Sequence, residues 1–112
     1  MNANDQLREH TCTENYYKHN FGAVFTDGVK ALCEMFACYW FLDIIVSYQP
    51  ELTKEEFQVW KLSRNEDNTA IIICSNGNGK DLKQQKIPFT DFAAQEATVW
   101  VENGVILLPS EH

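Results

Sequence analysis

The rhythm of hydrophobic and polar positions changes about halfway along the chain. In "TDGVKALCEMFACYWFLDIIVSY" (26–48) apolar residues recur at helical spacing and then close round almost every side, which predicts one long helix. Asp27 is the expected N-cap, because its carboxylate can accept from the free amides of the first turn. Gln49-Pro50 is the expected stop, since the residue before proline avoids the α region. Such a helix has about 20 residues and runs roughly 30 Å.

Downstream, period two takes over. "EFQVWKLSR" (56–64) sets Phe57 and Val59 against Gln58, Trp60 and Leu62, and "TAIIICS" (69–75) is a β-branched run between polar ends. "LKQQKI" (82–87) carries lysines and precedes Pro88, which suits an edge strand. "NEDN" and "NGNGKD" supply the turns between these runs. "ATVWV" and "GVILLP" read as a hairpin around Asn103-Gly104. Thr53 followed by Glu56 resembles a capping box, so one helical turn can precede the strand at Phe57. Residues 1–12 are polar and read as a loose tip, with a short helix from Ala3 to Glu9. The expected fold is α+β: one long central helix packed on an antiparallel sheet of about five strands, with a C-terminal β-hairpin.

Size changes this picture little, since 112 residues make a single domain. Charge changes it more. Sixteen acids stand against nine Lys and Arg, a formal charge of −7, and phosphate contacts need a basic surface. Nucleic acid is therefore not an expected partner. The polar start "MNANDQLREH" has no apolar h-region, so no signal peptide is expected. Glu34 and Asp43 interrupt the apolar run well short of the roughly 20 residues a membrane span needs. A cytoplasmic chain with its four cysteines (Cys12, Cys33, Cys38, Cys74) reduced is the expectation.

An ordered string of landmarks then carries a resemblance: "YY", "TDGVKAL", "YWFLDIIVSYQPEL", "FQVWKL", "PFTDF" and "ENGVILLPSE". Over residues 14–111 the chain resembles an uncharacterised family of small bacterial proteins, associated with cyanobacteria and plasmid-borne DNA, a domain of unknown function. The resemblance implies no activity, catalytic residue or ligand. One stretch departs from it: "FAAQEATVW" (92–100) stands where the family has a proline and a bulkier apolar residue.

Candidate chemistry is sparse. Asp43 lies in the most apolar stretch, where burial would raise its pKa and suit a general acid or base. The structural reading has it hydrogen-bonded beside Tyr39, Trp40 and Ser47, and this reading is preferred. Thr26-Asp27-Gly28 is either a reactive loop or an N-cap motif, and the cap is preferred. His10, Cys12 and His19 have metal-ligand chemistry without the paired spacing of a zinc site. Cys33 and Cys38, five apart on one helix, should not share a face. "GNGKD" (77–81) lacks the first glycine and the Ser/Thr of a phosphate loop, and is a turn.

No cofactor or metal is implied. A helix apolar on nearly all sides needs two covers, and one small sheet supplies only one. Phe21 and Phe25 could supply the second, or a second copy of the chain could, making a homodimer. The expected function is binding, as a protein–protein interaction module, with Tyr39, Trp40, Asp43, Ser47 and Asp27 as candidate interface or pocket residues. The alternatives are an unrecognised enzyme or small-molecule-binding protein with a pocket near Asp43, and an acidic mobile-element inhibitor of a basic host protein.

Overall fold

The computed structural model describes residues 2–7, 15–18, 23–88, 90, 92 and 94–111. Helices α1 (Ala3–Gln6), α2 (Asp27–Met35) and α3 (Tyr39–Tyr48) and a 3-10 turn (Gln49–Leu52) accompany seven strands. The strands are β1 (Tyr16–Lys18), β2 (Val24–Thr26), β3 (Phe57–Arg64), β4 (Ala70–Ser75), β5 (Asp81–Ile87), β6 (Glu96–Glu102) and β7 (Val105–Leu107). They form one sheet in the order β1-β2-β7-β6-β3-β4-β5. Every pairing is antiparallel except β2 with β7, which is parallel.

The expected single long helix is therefore two helices, and the five-stranded antiparallel sheet is seven-stranded and mixed. The helix breaks where no glycine or proline announces it. Ala37 takes the left-handed conformation, with φ of 52°. Cys38 N–H donates to the carbonyl of Cys33 at 3.0 Å, the six-to-one bond of a Schellman ending. Glycine normally occupies that left-handed position, because a Cβ there costs roughly 1–2 kcal/mol. The extra strands β1 and β2 are three residues each and have no alternating pattern long enough to stand alone. They exist by pairing onto the free side of β7.

At the start of α2 the cap is Thr26, one residue before the expected Asp27. Its hydroxyl accepts from Val29 N–H at 3.4 Å. The carboxylate of Glu111, in the C-terminal 3-10 turn (Pro109–Glu111), closes the same helix end. It accepts from the Thr26 hydroxyl at 2.6 Å, Leu108 N–H at 2.9 Å and Gly28 N–H at 3.1 Å. A Cβ on Gly28 would collide with that carboxylate and with the end of Leu108, so a larger residue at position 28 has to push those side-chain ends aside. The capping box expected at Thr53 does not form a helix, since the 3-10 turn ends there.

The N-terminal segment, expected to be loose, packs at its described residues. Ala3 and Leu7 are in the core. β7 reaches along β6 only as far as Trp100, leaving Thr98 without a strand neighbour on that side. The side-chain amide of Asn4 takes that neighbour's place, accepting from Thr98 N–H at 2.6 Å and donating to its carbonyl at 2.8 Å. The part of the predicted helix beyond Leu7 lies outside the described residues.

Both helices cover one face of the sheet. Val29, Leu32, Phe41, Leu42, Ile45 and Val46 join Trp60, Leu62, Ile72, Val99, Val101 and Ile106 in one hydrophobic cluster. The connection into β6 closes it: Phe92 and Ala94 are buried, and the Phe92 ring lies 5.7 Å from that of Phe36. The stretch that departs from the family pattern is thus packed. The Asn103-Gly104 hairpin forms as read, with φ of 50° and 82° at its two central residues.

Candidate binding surfaces

The outward face of the sheet follows directly from strand alternation. Pairing aligns Glu102 with Phe57, Trp100 with Val59 and Ser75, Thr98 with Lys61 and Ile73, and Glu96 with Ser63 and Ile71. Phe57, Val59, Ile71 and Ile73 are half-buried there, and Phe57 meets Trp100 edge-on at 5.2 Å. Lys61 pairs with Glu96 at 2.7 Å across the same face. Hence β3 and β4 are apolar on both sides, a pattern of strands meant to be covered twice. Among the described residues, the helix and 3-10 contacts to β3 and β5 fall on the other side: Tyr48 with Trp60 and Gln85, Gln49 with Gln58, and Glu51 with Lys83.

The residues singled out from the sequence divide between two places. Tyr39, Asp43 and Ser47 are the exposed stripe of α3, one turn apart, with Trp40 half-buried at its side. Asp43 therefore faces outward from the helix, and the helix is polar along this line. Tyr39 donates to Glu34 at 3.3 Å, and Ser47 donates to the carbonyl of Ile44 at 2.7 Å. Desolvation and the Glu34 carboxylate push the Tyr39 hydroxyl above its ordinary pKa. Asp27 sits apart, at the start of α2, where it accepts from Tyr17 Oη at 2.9 Å and raises the Tyr17 pKa.

On the covered face lies a polar network the sequence reading passed over. Gln58 is 1% exposed. Its Oε1 accepts from Gln49 Nε2 at 2.9 Å and Trp60 Nε1 at 2.8 Å, and its Nε2 donates to Gln49 Oε1 at 3.0 Å and Glu55 O at 3.4 Å. All four hydrogen-bonding positions of the amide are filled, which makes burial tolerable. The signal was its register: Gln58 alternates with Trp60, on the core side. Beside this network a groove of about 630 Å³ runs between the end of α3 and the β6–β7 hairpin. Its walls Val46, Val101 and Ile106 are 4% exposed or less, so solvent meets mainly the rim at Ser47, Pro50, Thr53 and Gly104.

The cysteines also correct an expectation. The break at Ala37 leaves Cys33 and Cys38 close enough to influence each other's ionisation, although an unbroken helix would have turned them apart, and the Cys38 thiol donates to the carbonyl of Leu32 at 3.7 Å. Both are free and buried. Contact with Cys38, then burial, pushes the Cys33 thiol far above its ordinary pKa, and burial pushes Cys74 up to about 12. Such thiols are poor nucleophiles at neutral pH. His10, Cys12, His19 and Phe21 lie outside the described residues; within them, no group of three or more His, Cys, Asp or Glu could hold a metal ion.

At the far end of the sheet, Arg64 closes β3 in register with Ala70 of β4 and, through it, Ile87 of β5. Arg64 is half-buried, and its Nε is shut off from solvent with no hydrogen-bond partner. A concavity of about 690 Å³ lies at the same end of the sheet, lined by Asn65, Thr69, Ile71 and Lys86 among others and not by Arg64. In the adjoining turn Asp67 accepts from Thr69 Oγ1 at 2.6 Å and from its N–H at 3.1 Å, which holds its carboxyl below the usual range.

No described helix is long and apolar enough to cross a membrane. No curated protein and no solved structure matches the chain. Its landmarks do match one family from end to end, over residues 1–112: the chain belongs to DUF6876, a family of unknown function.

Proposed function

We propose that this is a cytoplasmic binding module that self-associates through the outward face of its sheet. The observation that carries this reading is the run of apolar residues at outward positions on adjacent strands: Phe57 and Val59 on β3, Ile71 and Ile73 on β4. A sheet face meant for water alternates to polar residues instead.

A second copy is the fitting occupant, because Lys61 and Lys86 share this face with Glu96 and Glu102. A face with both signs of charge can meet itself, whereas a face of one sign repels its copy. Size supports a weak contact. Five strands about 4.8 Å apart and roughly 23 Å long present ~550 Å² per copy. Two copies bury ~1,100 Å², near the lower bound for a specific interface. Association is therefore concentration-dependent.

Sedimentation of the full chain from about 5 to 500 μM tests this, the range being set by the interface size. The expected result is a rising dimer fraction that Val59→Lys or Ile73→Lys abolishes, with the circular dichroism spectrum unchanged. A wild-type monomer throughout the range overturns it. Tyr39→Lys decides between faces, since loss of the dimer there alone would move the contact to the exposed stripe of α3. The groove beside Ser47 and Thr53 favours a second reading, a small-molecule-binding protein, and among the described residues its lining carries no charged residue.

A further inference from the structure

We propose that the groove beside α3 and a smaller cavity adjoining it bind a small organic cation, an ammonium head carrying an apolar tail. This inference rests on reading the groove as a small-molecule site and names the chemistry of its ligand. The base of both spaces is one row of the covered face: Gln58, Val101 and Ile106 are consecutive in register across β3, β6 and β7. The groove of about 630 Å³ is lined by Val101 and Ile106 of that row, and Val46 adds an apolar wall. A second cavity of about 330 Å³ is lined by Gln58 and Val101, and by Glu55 and Glu56 where the chain enters β3. Gln49, Thr53, Val101 and Gly104 line both, so the two spaces adjoin. Spaces of roughly 300–1,000 Å³ are the size of small-molecule sites.

Charge sets the head of the ligand. The adjoining cavity has two carboxylates in its lining and, among the described residues, no Lys or Arg. Glu55 is half-buried, and the hydrogen bonds of the two acids run through their backbone. Glu55 N–H donates to Leu52 O at 2.9 Å, Glu55 O accepts from Gln58 Nε2 at 3.4 Å, and Glu56 O accepts from Asn103 N–H at 2.9 Å. Among the described residues, lysine ion pairs go to Glu34, Glu96 and Glu51 instead. The Gln58 amide has its four positions filled, so the carboxylates are the charged groups left to orient a ligand. Two acids alone would be solvated charge; the apolar groove opening beside them is what makes them an anchor. A bare metal ion is a poor match, because no group of three or more ligating side chains stands there among the described residues. An anion is repelled by both acids and by the chain charge of −7. An ammonium beside Glu55, with its carbon tail along Val101 and Ile106, matches both ends.

The test titrates the full chain with hexylammonium, hexanol or hexanoate up to about 20 mM, a weak-ligand range. The three share one tail and carry a positive, a neutral and a negative head. The Val101 and Gly104 amide signals in the ¹⁵N–¹H spectrum are the readout. Hexylammonium should shift them saturably and bind most tightly, losing affinity at high salt, with hexanol weaker and hexanoate weakest. Glu55→Gln should weaken hexylammonium binding about three- to five-fold, the worth of one partly exposed ion pair, and leave hexanol unchanged. Glu56→Gln, at an exposed position, should act in the same direction, so the idea stays testable if Glu55→Gln does not fold. Glu66→Gln, the same charge change in the turn beyond the other end of β3, should have no effect. Hexanol binding as tightly as hexylammonium, no loss in Glu55→Gln and Glu56→Gln, or an equal loss in Glu66→Gln overturns the cation and leaves the small-molecule reading of the groove standing. No saturable shift with any of the three overturns both.

Discussion

The two faces of the sheet carry similar side chains and live in different environments. On one, Trp60, Leu62, Ile72 and Val99 are at most 1% exposed beneath α2 and α3. On the other, Val59, Ile71 and Ile73, one residue along the same strands, are half-buried. Residue type does not separate them: a Gln is fully buried on the covered face, and an Ile pair is partly wet on the open one. What separates them is the pair of helices, whose buried residues reach only one side. Apolarity on both faces of a strand therefore marks demand for cover, and the helices meet half of that demand.

The comparison can be broken most forcefully by trimming each face. Trp60→Ala should cost about 3–5 kcal/mol, since it empties core volume and leaves an acceptor on Gln58 unfilled. Val59→Ala, one residue away, should cost under about 1 kcal/mol for the dilute monomer. Urea unfolding of the two variants reads the difference directly, and equal losses would mean that the open face is covered within the monomer.

A second contrast is chemical. The covered-face thiol of Cys74 has its pKa raised to about 12, whereas in the unfolded chain it returns to about 8.5. The folded state favours the protonated thiol, so this contribution is complete below about pH 8.5 and is lost as pH rises towards 12. Stability should be flat in this respect near neutrality and then fall, by up to about 1.4 kcal/mol per pH unit for one thiol. Cys33 shifts in the same direction. Cys74→Ala should make the alkaline fall shallower, which pH-dependent urea unfolding would reveal; an unchanged slope counts against the burial of Cys74.

The smallest expected effect concerns the helix layer that makes the faces unequal. Ala37→Gly should stabilise the fold by about 0.5–1 kcal/mol, because glycine adopts the left-handed backbone without a Cβ penalty. A shift of Tm by a few degrees is the readout. Destabilisation would show that Ala37 is not left-handed in solution.

How far the chain could be read in advance depended on how local each decision is. The runs at Phe57–Arg64, Ala70–Ser75 and Asp81–Ile87 announced strands, and Asn103-Gly104 announced its hairpin, because period two and left-handed turn residues are local signals. The lysine-bearing β5 does lie at the sheet edge. The helix start was legible to within one residue. Its interruption was not, since Ala37 carries no mark of a left-handed residue. Asp43 drew attention by its apolar neighbours in sequence, but on a helix neighbours in sequence point in different directions. The exposed stripe Tyr39-Asp43-Ser47 was legible as a helical spacing; that it faces outward was not.

Two further features were out of reach for the same reason. The Gln49–Gln58 amide pair joins a helix end to a strand, and the concavity at the far end of the sheet exists only when β4 and β5 pair.

By itself, then, the amino-acid sequence determined periodicity, turn positions and a helix-then-strand order, because these depend on interactions within a few residues. Tertiary structure alone decided the break at Ala37, the pairing of β1 and β2 onto β7, and which apolar face the helices cover. Those outcomes depend on long-range packing that no local pattern records. An unbroken helix would keep Cys33 and Cys38 on different sides and run on past its breaking point. Bent at Ala37, the same residues lay two short helices across one face of the sheet, and no described helix covers Val59, Ile71 and Ile73 on the other.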